Sequence, residues 1–353
     1  MWAKPLTQWY KANQRNLPWR KAPHPYHTLI CEFMAQQTQI NTLIPYYDRW
    51  LKKYPNISDV AQANEDEILK SWEGLGYYSR ARNLHKTCQI ILNDYEGIVP
   101  KDPEVLQKLP GVGPYIAAAI ASIAYEVPIS VVDGNVLRVM TRLFGLSDDI
   151  GKDKTKKKIQ NRLNQIIKTT TPSEFNQGVM ELGATICTPK NPNCQHCPIQ
   201  NVCYAKNMEQ IEKFPVKQKK PPTPHHIIVV GIIQRSDGKV LITKRKKNQL
   251  LGGLWEFPGG KVKGSETLEN ATIREIKEEV NLDATIGHFL CKVKHAYSHF
   301  KITLHAYMCS VSHHESIQCN SADDYEWVEP SELNKFAFPK ANKVIIQHLT
   351  ESI

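Results

Sequence analysis

The first two-thirds of the chain carry apolar residues at the spacing of an α-helix. Between residues 28 and 54 they recur every three or four positions, which predicts helix. Asp102-Pro103 predicts a helix start, because Asp caps free N–H groups and Pro fits the first helical position. The alanine-rich run 115–125 and the amphipathic run 135–146 predict two more helices. Residues 26–213 are therefore expected to form helix after helix.

The pattern changes after residues 214–224 (FPVKQKKPPTP), which are rich in proline and lysine and predict a linker. Beyond the linker, alternating or continuous apolar runs indicate strands mixed with one helix. These are strands at 227–233 (IIVVGII), at 239–244 after a Ser-Asp-Gly turn and at 299–307, and a helix at 267–280. We therefore expect an all-α domain over 1–213 and an α/β domain over 225–353.

Composition and charge narrow the class of protein. The 353 residues carry a net charge of +10, and residues 1–213 hold 26 basic against 20 acidic residues, a local +6. Such a surface suits a phosphate polymer, although a merely solubilising charge explains it equally well. We expect no membrane-spanning segment and no signal peptide, hence a soluble cytoplasmic protein. Nine cysteines, an odd number, argue against a disulfide framework.

Four of the cysteines form a tight cluster with 6-2-5 spacing. Four thiolates suit either zinc or a 4Fe–4S cluster, but zinc sites usually pair two short knuckles, which this spacing lacks. Placed after an all-helical domain, the spacing resembles the iron–sulfur loop of the endonuclease III superfamily of DNA glycosylases. That resemblance implies a 4Fe–4S cluster held in the loop 187–203 by Cys187, Cys194, Cys197 and Cys203.

A glycine-containing turn and an aspartate strengthen the resemblance. In Leu109-Pro110-Gly111-Val112-Gly113 the glycines allow a tight turn whose N–H groups can grip a DNA phosphate, although a plain turn between helices has the same pattern. Asp133, in VDGNV, could equally be an ordinary helix cap. Together, LPGVGPY and VDGNV resemble the helix-hairpin-helix motif and catalytic aspartate of the superfamily. The likeness covers about residues 1–213.

A second carboxylate completes the chemistry that the resemblance implies. Cleavage of a glycosidic bond passes through an oxocarbenium-like state and usually employs two carboxylates. Glu32 is flanked by Leu29, Ile30 and Phe33, so burial could raise its pKa and keep it protonated. Its segment, E-x3-Q-Q-T-Q, resembles the catalytic segment of the MutY family, which excises adenine mispaired with 8-oxoguanine or guanine. By resemblance Glu32 protonates the adenine and Asp133 stabilises the sugar cation. Asn135, two residues after Asp133, is assigned to the same catalytic set.

The same resemblance assigns further residues. Tyr115 occupies the position where lyase relatives carry a nucleophilic lysine, which implies a monofunctional glycosylase and disfavours a thymine-glycol-type lyase. Two residues match those that wedge into the duplex beside the lesion, and four match positions at the adenine pocket. The wedges are Gln37 and Tyr77; the pocket residues are Leu17, Trp19, Arg20 and Gln177.

The C-terminal part resembles a Nudix box, Gly260-x5-Glu266-x7-Arg274-Glu275-Ile276-x-Glu278-Glu279-x-Asn281-Leu282. Asn281 replaces the Gly of the box, and Asn tolerates the left-handed conformation that this turn needs. Glu275, Glu278 and Glu279 share a helix face that could hold Mg²⁺, or could simply be a solvated acidic face.

MutY proteins use a C-terminal domain of this kind to read 8-oxoguanine through a Phe-Ser-His loop. Tyr297, Ser298 and His299 correspond to that loop here.

The sequence thus predicts a multidomain protein: an all-α helix-hairpin-helix DNA glycosylase with a 4Fe–4S loop, followed by an α/β Nudix-like domain. The expected function is monofunctional adenine excision in base excision repair, acting as a monomer on double-stranded DNA with A:8-oxoG or A:G mispairs, near the nucleoid. Three alternatives stay open: a dual enzyme with added nucleoside-triphosphate hydrolysis, a pure Nudix hydrolase, and a non-catalytic DNA-binding scaffold.

Overall fold

The structure is a computed structural model that describes residues 2–21, 24–218, 221–297, 299–311 and 317–351. It divides into two compact units, one formed by residues 1–62 and 83–220, the other by residues 63–82 and 221–353. Among the described helices, none combines the length and the apolar character needed to cross a bilayer.

The described part up to residue 218 is helical, as the apolar spacing predicted. In chain order the helices are α1 (Ala3–Asn13), α2 (Pro25–Ala35), α3 (Ile40–Lys53), α4 (Ile57–Gln62), α5 (Glu65–Ser71), α6 (Ser79–Asp94), α7 (Pro103–Leu106), α8 (Pro114–Tyr125), α9 (Gly134–Phe144), α10 (Asp153–Ile167), α11 (Pro172–Thr185) and α12 (Tyr204–Asn207).

Local sequence explains where these helices begin and end. The stretch 28–54 forms two helices, because Gln37 between α2 and α3 adopts a left-handed backbone with φ 58° that no α-helix accommodates. Asp102 caps α7 by accepting from the Glu104 N–H at 2.8 Å, as predicted. Helix α9 ends at Gly145, whose φ of 66° suits glycine.

The helices of the first unit pack closely through small residues in one region and through large residues in another. Helix α8 buries Ala117, Ala118, Ala119 and Ala121 completely, which lets α2 and α11 pack closely against it. Helices α1, α9 and α11 share a core that includes Leu6, Met140 and Phe175, each fully buried. The cysteine loop packs against the edge of this core, so its fold is tied to that of the helices.

The second unit is built on a mixed sheet, which confirms the predicted change of pattern. Strand order is β3-β2-β1-β6-β5, with β4 also paired to β1 and β7 to β2; β1 and β6 are parallel and the other pairs antiparallel. One core joins the sheet to α14 and another joins it to α13. The elements are β1 (His225–Gln234), β2 (Val240–Arg245), β3 (Trp255–Glu256), β4 (Gly259–Lys261), α13 (Leu268–Val280), β5 (Thr285–Ala296), β6 (Lys301–Ser310), β7 (Ala322–Val328) and α14 (Lys340–Glu351).

Residues 63–82 belong to this second unit despite their place in the chain. The buried carboxylate of Glu73 accepts from Lys343 Nζ at 2.8 Å and from the Phe338 N–H at 3.1 Å. Asp66 pairs with Lys244 at 2.7 Å. No periodicity or motif indicated this association, because it depends on partners about 180 to 270 residues away in the chain.

Candidate active site

Eight of the predicted site residues meet around one cavity of the first unit, about 290 Å³ in volume. They come from separate places in the chain, including the turn before α2, the interior of α2 and the first turns of α8 and α9. A cavity of this size is at the lower end of small-ligand pockets and is large enough to enclose a heterocyclic ring. The eight residues are Leu17, Trp19, Arg20, Glu32, Tyr115, Asp133, Asn135 and Gln177.

Glu32 lies on the buried face of α2 and is only 7% exposed. Burial raises the pKa of its carboxyl to about 7; hydrogen bonding to Tyr115 lowers the pKa, and the charge of Asp133 raises it. Its Oε2 atom is buried without a hydrogen-bond partner among the described residues. A carboxyl in this state holds its proton near neutral pH and can deliver it to a bound group.

Asp133 is both a helix cap and a wall of the cavity. Its Oδ1 accepts from the Val136 N–H at 2.6 Å, and its Oδ2 accepts from Asn135 Nδ2 at 2.9 Å. Burial raises the pKa of Asp133 above its usual value, and these hydrogen bonds limit the rise. Asp133 is therefore a helix cap, which is one of the two interpretations of the sequence. It also presents a fixed carboxylate to the cavity, where positive charge could develop on a substrate.

Tyr115 follows Pro114 in the first turn of α8 and faces both carboxylates. Burial, together with the nearby Glu32 and Asp133, raises the pKa of its hydroxyl well above the usual value. The hydroxyl therefore stays protonated, and its oxygen lies 3.9 Å from Met180 Sδ. This position offers a hydroxyl group and no amine, so it cannot form a Schiff base with a sugar.

The sequence did not predict Glu181, which anchors one wall of the cavity. Its side chain is fully buried and accepts from Arg15 Nε at 2.7 Å and from Arg20 Nη2 at 2.9 Å. Burial alone would raise the pKa of Glu181, but the two guanidinium groups lower it to about 2. Glu181 therefore fixes Arg20 in place. No local sequence pattern could have predicted this pair, because Arg20 and Glu181 lie 161 residues apart in the chain.

The predicted hairpin has the geometry of a tight backbone turn. Gly111 has φ 76°, and an added Cβ would lie 2.7 Å from Asn83 Cβ, so no other residue fits there without displacement. Gly113 is exposed and caps α8 directly before Pro114.

The predicted wedge residues Gln37 and Tyr77 both adopt left-handed backbone, with φ of 58° and 48°. Such strain in non-glycine residues is typical of functional positions.

The cysteine loop has a donor set that fits an iron–sulfur cluster. Burial is the main cause that raises the pKa of Cys197 to about 11, and the nearby thiols of the other three cysteines contribute to the same rise. The buried Arg142 donates to Cys187 Sγ at 3.4 Å and to the Thr188 carbonyl at 2.7 Å, which supplies positive charge beside the thiols. Arg138 Nε donates to the Cys187 carbonyl at 2.8 Å and Arg138 Nη2 to Asn135 Oδ1 at 2.9 Å.

The three glutamates on the acidic helix face of the second unit have different partners. Glu278 is exposed and pairs with Lys263 at 3.1 Å and with Arg274 at 3.2 Å. Glu275 is buried and pairs with Arg274 at 2.6 Å, whereas Glu279 accepts from the Gly259 N–H at 3.0 Å. Among the described residues of this second unit, no three His, Cys, Asp or Glu side chains are arranged to hold one metal ion.

Two further predictions about the second unit concern its turns. Asn281 ends α13 with φ 56°, so Asn in place of Gly does keep the left-handed turn. Tyr297 stacks on Phe300 with ring centroids 4.8 Å apart, and the ring of His299 lies 6.5 Å from that of Tyr77. Ser298, between them, lies outside the described residues.

Comparisons with known proteins agree with this arrangement. Family models match residues 30–167 (HhH-GPD superfamily base excision DNA repair protein), 187–203 (iron-sulfur binding domain of endonuclease III) and 229–348 (NUDIX domain). The chain is 34% identical to the adenine DNA glycosylase of Mus musculus, over 86% of this chain and 69% of that protein. It is 33% identical to that of Buchnera aphidicola subsp. Schizaphis graminum, over 97% and 96%. A solved non-covalent endonuclease III–DNA complex is similar with a TM-score of 0.51 and 26% identity, over 59% of this chain and 94% of that one.

Proposed function

Because the chain belongs to the adenine DNA glycosylase family, we propose that it hydrolyses the N-glycosidic bond of adenine mispaired with 8-oxoguanine or guanine. It is a DNA glycosylase of base excision repair, and it carries a 4Fe–4S cluster. The observation that supports the reaction best is the pair Glu32 and Asp133 in one cavity. Their surroundings differ, so one carboxyl can be protonated while the other is charged.

In this proposal Glu32 gives its proton to the departing adenine as the C1′–N bond breaks and the bond's electron pair leaves with the base. Asp133, held by Val136 and Asn135, stabilises the positive charge on the sugar. Water then adds to C1′ and gives its proton to the Glu32 carboxylate, which restores the acid. Tyr115 provides no amine, so the reaction ends at hydrolysis without a covalent lyase intermediate. Trp19 and Gln177 shape the wall against which the extruded base rests.

Recognition of the mispair is assigned to two strained turns and to the C-terminal loop. Gln37 and Tyr77, which both lie in turns with a left-handed backbone, are proposed to wedge into the duplex and hold it open. Tyr297, Ser298 and His299 are proposed to read the base opposite adenine. The acidic residues Glu275, Glu278 and Glu279 are proposed not to support essential hydrolysis, since Arg274 and Lys263 already pair with two of them.

The four cysteines of the loop are proposed as the cluster ligands. When bound, the cluster fixes a loop that has little regular structure of its own and whose thiols sit at the edge of the helical core. Arg142 and Arg138 hold the backbone of the same loop. We further propose that the protein works as a monomer on nucleoid DNA, with a glycosylase domain at 1–213, a linker at 214–224 and a lesion-reading domain at 225–353.

A strand-scission assay tests this proposal. Purified protein is incubated with duplexes that differ only in the base opposite adenine (8-oxoguanine, guanine or thymine), treated with alkali and resolved on a gel. We expect cleavage at adenine for the first two duplexes and little for the third. Glu32→Gln should bind the same duplexes yet lose excision by several orders of magnitude. Equal cleavage opposite thymine, or full activity of Glu32→Gln, would contradict the proposal.

A further inference from the structure

The predicted wedge residue Tyr77 lies on a short turn of the second unit. Residues 72–78 join α5 to α6, and three of them, Gly74, Gly76 and Tyr77, have left-handed φ values of 99°, 71° and 48°. A wedge has to hold its position while the bases beside it tend to stack again. The support of this turn therefore decides how well Tyr77 can keep a base step open.

Two side chains fix the turn from within. Trp72 is fully buried, and its Nε1 donates to the Gly76 carbonyl at 3.2 Å. Arg80 Nη2 donates to the same carbonyl at 3.0 Å, and the Arg80 guanidinium lies 5.6 Å from the centre of the Tyr77 ring. The backbone directly before Tyr77 is therefore tied to Trp72, and Glu73 is the next residue in the chain.

Glu73 ties this turn to the segment that begins α14. Its side chain is only 9% exposed and accepts from Lys343 Nζ at 2.8 Å and from the Phe338 N–H at 3.1 Å. Lys70 Nζ, from α5, donates to it at 3.0 Å. Burial would raise the pKa of Glu73, but these donors hold it below the usual value, so the carboxylate is charged at neutral pH. Charge-assisted hydrogen bonds to a buried carboxylate are strong and directional.

The start of α14 also borders the loop proposed to read the base opposite adenine. Lys340 lines a cavity of about 330 Å³ together with Tyr77, Tyr297 and His299. The rings of Tyr77 and His299 lie 6.5 Å apart. The wedge and the reading loop therefore face the same space, and α14 borders both.

We propose that Glu73 is a positioning residue for the wedge. By holding the turn against Phe338 and Lys343, it keeps Tyr77 inserted beside the mispair and next to the reading loop. Opening of the duplex and recognition of the opposite base are thereby coupled, because both depend on the same end of α14. This inference rests on the proposed function, in which Tyr77 wedges into a duplex.

Fluorescence of 2-aminopurine tests the positioning role without requiring excision. The full-length protein is added at saturation to duplexes with 8-oxoguanine opposite 2′-fluoro-2′-deoxyadenosine, whose bond to the base resists cleavage. The duplexes carry 2-aminopurine on one or the other side of the 8-oxoguanine. Because stacking quenches 2-aminopurine, the parent protein should raise its fluorescence at the wedged step. Glu73→Gln, Lys343→Met and Tyr77→Ala should each reduce that rise by about half or more.

Matched variants separate positioning from other effects. Glu73→Gln and Lys343→Met change the net charge in opposite directions, so a shared loss cannot come from altered attraction to phosphate. Lys343→Arg keeps the ion pair and should retain the parent's fluorescence, as should Lys335→Met, which breaks an exposed pair with Glu332. Lys343 is 45% exposed, so Lys343→Met should keep the parent's melting temperature.

Single-turnover excision of adenine opposite 8-oxoguanine should fall about tenfold in Glu73→Gln and in Lys343→Met, because a displaced wedge misplaces the extruded base. The inference is overturned if Lys343→Met gives the full rise in fluorescence, or if the parent protein gives none at either step. Parent protein that unstacks the duplex but excises no adenine from an ordinary mispair would instead contradict the proposed function.

Discussion

Asn135 Nδ2 donates a hydrogen bond to Asp133 Oδ2 at 2.9 Å, across a single intervening residue. Since the Val136 N–H holds the other carboxylate oxygen, both oxygens of Asp133 are fixed before any substrate arrives. The hydrogen bond from Asn135 also lowers the pKa of Asp133 against the effect of burial. A reaction that builds positive charge on a sugar benefits from a carboxylate held in advance in its charged form.

The first prediction concerns this contact. Asn135→Ala should raise the pKa of Asp133, because burial then acts with less opposition. The acidic limb of the single-turnover pH–rate profile should therefore move to higher pH, and excision at pH 7 should fall roughly tenfold. Asn270→Ala, at an exposed position of the second unit, serves as the control. An unchanged acidic limb in Asn135→Ala would show that the contact does not tune Asp133.

The second prediction concerns pH dependence above neutrality. The pKa of Glu32 is about 7, raised mainly by burial, and a general acid acts only in its protonated form. The excision rate should therefore fall as the pH rises through about 7. The same shift means that folding is favoured below that pH and loses stability as the pH rises from about 4.5 to about 7. Glu32→Gln should remove the alkaline fall from both the pH–rate profile and the pH–stability profile. A fall that persists in this variant would be caused by another titrating group.

The third prediction concerns Glu181 and its two arginines. Glu181→Gln leaves Arg20 without its buried counter-charge and should destabilise the fold by about 3 kcal/mol. Because the pKa of Glu181 is lowered to about 2, the stability it provides is complete above about pH 4.5 and is lost as the pH falls from there towards 2. Chemical denaturation at several pH values measures this. Glu174→Gln, in a more exposed pair with Lys11, should cost under about 1 kcal/mol.

The fourth prediction concerns the cysteine loop. Anaerobically purified protein should be brown and contain about four iron atoms per chain. Cys197→Ser should lose iron and destabilise the first unit, since the loop packs on its core. Cys88→Ser, a fully buried thiol outside the loop, should keep the iron. Stoichiometric zinc without iron would mean that the loop was misassigned.

The fifth prediction concerns the outcome of the reaction. Tyr115 presents a protonated hydroxyl beside Glu32 and Asp133, so borohydride should trap almost no covalent complex with DNA. Tyr115→Phe keeps the ring and removes the hydroxyl, and it should likewise give no trapped complex. Efficient trapping of the parent protein would identify a different amine as nucleophile and place the chain among the bifunctional enzymes.

Several features were predictable from sequence because they depend on neighbours in the chain. The cysteine spacing, the glycines of the hairpin and the cap at Asp133 each lie within a short segment whose backbone geometry the residue types largely determine. The spacing of apolar residues changes after residues 214–224, and this change correctly predicted the sheet that follows. The effect of Asn281 in place of glycine was also predictable, because Asn tolerates the left-handed backbone of this turn.

What remained undecided depends on groups that only the tertiary structure brings together. The sequence placed Glu32 within one helix and Asp133 at the start of another. Their shared cavity and the raised pKa of Glu32 require the packing of α2, α8 and α9 around them. The pairing of Arg20 with Glu181 had no local signal in the sequence. Burial and long-range charge set these properties, and both are determined by which distant segments come into contact and not by the order of neighbours along the chain.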